Sequence, residues 1–125
     1  MAYRVEEDAA HRVVRAIVTG EYDRAEIERM VGEGREAAAR TNLNILCDMR
    51  RARPGKMTPA EVFWIPRQHP SLRAPGASTT RVATVHKPEH AAIAAFWENA
   101  YTNAGLQARA FTDEAAAIAW LVEPL

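Results

Sequence analysis

The chain has 125 residues, of which 48% are hydrophobic and 26% charged, the composition of a globular domain rather than a disordered chain. That length buries roughly 65–70% of the unfolded surface, so neither a metal nor a disulfide is needed, and the single cysteine, Cys47, excludes an internal disulfide. Lys plus Arg and Asp plus Glu number 16 each, which removes a long-range pull toward nucleic acid or an anionic membrane.

Residues 2–6 and 12–19 read as two strands, the second rich in β-branched side chains. The polar stretch Glu7 to His11 predicts an antiparallel hairpin, and Gly20 is expected to end it. A helix follows over about 24–40. Asp23 is suited to its N-cap, Glu26 to the return arm of a capping box, and Tyr22 and Ile27 to a hydrophobic staple. Ile27, Met30, Val31, Gly34 and Ala38 form one stripe at helical spacing. The next strand runs from Leu43 to Met49. Leu43, Ile45, Cys47 and Met49 point one way and Asn44, Leu46 and Asp48 the other, so both faces of this central strand are expected to be covered.

Thr58-Pro59-Ala60-Glu61 opens a second helix with a capping box and a proline at its first position. Pro66 is expected to stop it, with irregular stretches Arg50 to Met57 before and Arg67 to Thr79 after. Arg81 to His86 is a strand. Pro88 starts a third helix whose apolar face carries Ile93, Phe96, Trp97, Ala100 and Tyr101, and Gly105 ends it. Leu106 to Phe111 is a last strand, and Thr112 is expected to cap a last helix from Asp113 to about Glu123. The order ββαβαβαβα predicts one α/β domain over residues 1–125, with a mixed, mostly parallel sheet flanked by helices. The start, Met1 to Glu7, lacks the pattern of a signal peptide, and no apolar run approaches the ~20 residues that span a bilayer. A cytoplasmic protein with no integral membrane segment is therefore expected.

The chain resembles the STAS and SpoIIAA-like bacterial domains, in particular the small SpoIIAA-like family similar to CRAL-TRIO lipid-binding domains. The likeness is carried by Leu43 to Arg50, by Arg81-Val82-Ala83 and by the ending Ala108 to Leu121. It implies a non-enzymatic role, either binding of a partner protein or capture of an apolar ligand. Anti-sigma-factor antagonists of the wider group carry an Asp-Ser-Ser-Gly-like segment with a phosphorylatable serine. Here the matching stretch is Met57-Thr58-Pro59-Ala60, so Thr58 alone is comparable and the glycine is missing.

Val62-Phe63-Trp64-Ile65 spreads apolar groups around most of the second helix, more than one sheet face can bury. The surplus either packs under a loop or lines a ligand pocket, a lipid-facing surface or a homodimer contact. Val62, Phe63, Trp64, Phe96 and Trp97 are thus the candidate apolar ligand residues, with a pocket between the second and third helices. Arg50, Arg51, Arg53 and Lys56 lead into that helix from the carboxyl end of a parallel strand, where a phosphate or lipid headgroup can bind; a solvated loop is the alternative. Asp48 and His86 end strands expected to be neighbours, which makes them a candidate acid/base pair if they converge. His86 and His90 have helical ligand spacing, but Pro88 places His86 before the helix, so no metal site is expected. His11 and His69 are expected at the surface, and Cys47 buried and inert. No nucleophile elbow, P-loop or dinucleotide fingerprint is present, so neither a catalytic site nor a cofactor is expected. The leading expectation is a binding protein for a lipid or other small apolar ligand. The second is a STAS-type regulatory module that binds a protein and is switched at Thr58.

Overall fold

A computed structural model describes residues 2–124. The strands are β1 Ala2–Asp8, β2 Val13–Tyr22, β3 Asn44–Pro54, β4 Arg81–Val85 and β5 Gln107–Phe111. The helices are α1 Arg24–Thr41, α2 Pro59–Gln68, the single turn α3 Pro70–Arg73, α4 Ala91–Asn103 and α5 Glu114–Val122. The strands lie in chain order in one sheet, with β1 antiparallel to β2 and all other neighbours parallel. This is the expected α/β architecture. Because every right-handed crossover steps in the same direction, α1, α2 and α4 fall on one face. Only α5, which follows the last strand, covers the other.

The two faces follow from the period-two pleat. Val13, Leu46, Ala83 and Val85 pack against Ala117 and Leu121 of α5. The alternate residues Val14, Ala16, Val18, Ile45 and Cys47 face the α1 side. Asn44 ties three elements together: its Oδ1 accepts from the Arg81 amide at 2.8 Å and its Nδ2 donates to the Leu121 carbonyl at 2.7 Å.

Local signals explain most element ends. Asp23 caps α1 by accepting from the Glu26 amide, and Tyr22 and Ile27 are both buried in one cluster. Thr58 and Glu61 form the full capping box of α2. After α4, Gly105 has φ +90 and the Leu106 amide returns to the Tyr101 carbonyl, a geometry that favours glycine.

Six expectations are corrected. Gly20 does not end β2. A register shift between Ile17 and Thr19 inserts an extra residue in β3, and pairing resumes through Gly20↔Ala52 to Tyr22↔Pro54. The stretch Arg50 to Pro54 is therefore strand rather than loop. Pro66 lies inside α2 because its ring is buried in the core and the last turn closes through the His69 amide to Ile65 O. The Arg67 side chain also takes up the Phe63 carbonyl at 2.7 Å. The segment after α2 is not wholly irregular: it contains α3 and a 3-10 turn, Ala77–Thr79. His69 is a buckle rather than a surface residue, bonded to Glu28 O through Nε2 and to Ser71 through Nδ1. At the last helix the cap is Asp113, not Thr112, because its carboxylate accepts from the Ala115 and Ala116 amides.

Candidate functional site

A cavity of about 110 Å³ opens between the sheet, α1 and α4. Its floor consists largely of short side chains, including Ala16, Thr84, Ala108 and Ala110. These do not fill the space under the two helices, whose own contribution is also partly small, with Gly34 on α1 and Ala94 on α4. A Cβ placed on Gly34 meets only Ile45 Cδ1, at 4.0 Å. Met30, Val31, Ile93 and Leu72 complete a mainly apolar wall.

Few polar groups interrupt it. Arg35 of α1 is buried, and its Nη1 donates to the Ala77 carbonyl at 3.1 Å. Burial lowers the Arg35 pKa from its ordinary value. Burial also pushes the hydroxyls of Tyr22 and Tyr101 upward, and it raises the Cys47 thiol to about 12, which leaves that thiol protonated and inert. His86 lines the cavity with its Nδ1 bonded to Lys87 O at 2.7 Å.

Of the residues singled out by sequence, Trp97 lines this cavity. Val62 is buried in the packing of α2, while Phe63, Trp64 and Phe96 are 39%, 46% and 41% exposed, on the outside of the helices rather than in the cavity. Phe63 and Trp64 meet edge to face at 5.0 Å, and the Arg67 guanidinium lies 3.8 Å from the Phe63 ring centre. The cavity thus takes its helical walls from α1 and α4, and α2 supplies none of its lining residues.

The arginines of β3 go elsewhere. Arg50 points to the α5 face, where its Nη2 reaches Asp48 at 2.8 Å and Glu114 at 2.7 Å. Arg15 joins the same cluster through Asp8 at 2.9 Å and Glu114 at 2.9 Å. The His11 and Arg15 side chains hold Asp8 down to about 2, hydrogen bonds from Arg50 keep Asp48 low against its burial, and Arg15 lowers Glu114. Arg51 and Arg53 are exposed, with Arg53 3.9 Å from Glu21. Asp48 and His86 do not converge: the pleat turns Asp48 toward α5 and His86 toward the cavity. Among the described residues, no group of three or more His, Cys, Asp or Glu is arranged to hold a metal ion.

Sequence reasoning passed over Arg35. The signal was present, because Arg35 is four residues after Val31 and three before Ala38, on the same face as the α1 stripe. A charge on the buried face of an amphipathic helix is an anomaly worth asking about.

This fold and its two covered faces coincide with a known family: residues 13–122 match the SpoIIAA-like family. The chain belongs to the SpoIIAA-like family. The same architecture occurs in the crystal structure of an uncharacterized protein from the DUF3478 family with a SpoIIAA-like fold, from Shewanella loihica PV-4. The two are 17% identical, with a TM-score of 0.57 over 96% of this chain and 92% of that one, a likeness of fold alone. No curated protein matches the chain. Membership in this family makes the chain a regulatory or binding module in general terms. Among the described residues, no helix is long and apolar enough to cross a membrane.

Proposed function

We propose that this SpoIIAA-like domain is a non-enzymatic, cytoplasmic binding module that takes a small apolar ligand, such as a segment of a lipid, between its sheet, α1 and α4. The observation that carries the reading is the mainly apolar cavity of about 110 Å³. Its size suits a single ring or a short alkyl segment; an engineered apolar cavity of roughly 150 Å³ accepts benzene. The test is NMR titration with two neutral probes, phenylacetamide and pentanamide. Saturable shifts are expected at Val82, Ile93 and Trp97, and a spectrum unmoved by both probes would refute the reading.

A second reading, a regulatory module that binds protein, is favoured by the exposed Phe63, Trp64 and Phe96, large apolar side chains of the kind found at interfaces. The occupant in this reading is a second copy of the chain or a regulatory protein. Thr58 is its candidate switch, exposed at the N-cap of α2. A phosphate there meets the favourable end of the helix dipole but displaces the bond to Glu61. Sedimentation over a range of concentrations tests the homodimer: self-association lost in Trp64→Ser supports it, and a monomer at every concentration excludes it.

A further inference from the structure

Arg35 is 7% exposed, and no carboxylate of the described residues lies against it. A buried guanidinium is ordinarily paired, because removing a charge from water is costly unless an opposite charge or a full set of acceptors replaces the solvent. Here Nη1 has one acceptor, the Ala77 carbonyl, and Nη2 has none among the described residues. Trp97 Nε1, which lines the same cavity from α4, is buried as well and has only the Tyr22 hydroxyl beside it. Tyr101 is buried beside Arg35 and contributes a neutral hydroxyl, not a counter-ion. Glu98 is the single carboxylate among the lining residues, and its Oε2 accepts from the Ala110 amide of the edge strand at 2.6 Å. The other arginine along the wall, Arg109, lays its guanidinium over Phe111 and Trp120 on the α5 side.

The cavity therefore combines an apolar body with a buried guanidinium that, among the described residues, has no counter-ion and an unmatched Nη2 donor. We propose that Arg35 anchors the head of a small amphipathic carboxylate whose apolar part fills the cavity. A monoanion matches Arg35, the buried guanidinium of the cavity lining, which has no carboxylate partner among the described residues. A phosphate dianion calls for further cations: Arg50, Arg51 and Arg53 lie in the α5-side cluster or at the surface, and the lining adds only the imidazoles of His86, whose Nδ1 is taken by the Lys87 carbonyl, and His90. The cavity volume limits the body to a ring or a chain of a few carbons.

This inference rests on the cavity reading above, and one experiment separates the two. Binding is measured by calorimetry for two matched pairs, phenylacetate with phenylacetamide and pentanoate with pentanamide. The carboxylate of at least one pair is expected to bind tenfold or more tightly than its amide. Arg35→Met is expected to abolish that ratio while keeping amide binding. Arg35→Lys, which retains the charge but not the planar fork, is expected to keep a reduced preference. Circular dichroism confirms that both variants are folded. Equal affinity for acid and amide overturns the role of Arg35 and leaves the cavity reading standing. Failure of all four compounds to bind overturns both. A preference for carboxylate that survives in folded Arg35→Met also overturns the assignment.

Discussion

Replacing Arg35 by methionine is expected to stabilise the ligand-free protein. An ion moved out of water costs several kcal/mol after relaxation. The bond from Nη1 to Ala77 O, a charged donor on a neutral acceptor, returns about 1.5–3 kcal/mol. No salt bridge offsets the rest, since none of the ion pairs of the described residues includes Arg35. Methionine keeps most of the aliphatic stem and its apolar packing. The Ala77 carbonyl is not orphaned, because the Thr80 amide also donates to it at 3.3 Å. The expected gain is about 1–3 kcal/mol. At about 3–5 °C per kcal/mol for a domain of this size, the melting temperature rises by about 3–15 °C. Differential scanning calorimetry and urea unfolding of both proteins provide the measurement. A variant less stable than the parent would refute the reasoning, because it would mean that the guanidinium is well satisfied in the folded state.

Three further outcomes follow from the same structure. Asp8, Asp48 and Glu114 have folded pKa values held below the ordinary carboxylate range, so their contribution is complete above about pH 4–5 and fades as the pH falls through those lowered values, which for Asp8 is about 2. Urea midpoints are expected to fall across that window in the parent and more gently in Glu114→Gln; identical slopes would remove the cluster from the account. Asn44→Ala leaves the Arg81 amide and the Leu121 carbonyl without their side-chain partner and is expected to cost about 1–3 kcal/mol, read from the same urea curves; a loss below about 0.5 kcal/mol contradicts this. Trp64→Ser removes a side chain 46% exposed, and the monomer is expected to lose less than about 1 kcal/mol, with a larger loss showing that the ring is part of the core.

Much of the fold was legible because local chemistry and periodicity agreed. The caps at Asp23 and Thr58, the two-faced pattern of β3 and the alternation of strand and helix each require only near neighbours in sequence. Misreadings fell where a distant contact overruled a local rule. Gly20 continues the strand because β3 takes up an extra residue opposite Val18 and then pairs on through Gly20↔Ala52, and Pro66 stays in a helix because the core receives its ring. The candidate site was legible in part. Trp97 was within reach of pattern reasoning, but which strand residues would leave a space beneath α4 was not.

By itself the sequence determined the class of architecture: apolar periodicity set the elements, their order set the parallel crossovers, and the ending Ala108 to Leu121 pointed to the family. What the tertiary structure alone decided was which side chains share a face and which lack a partner. Arg50 and Arg35 are chemically the same residue, yet the pleat carries Arg50 to two carboxylates and the face of α1 carries Arg35 into an apolar cavity with one carbonyl. The difference depends on residues tens of positions away in the chain, because burial and pairing are properties of the packed fold and not of local spacing.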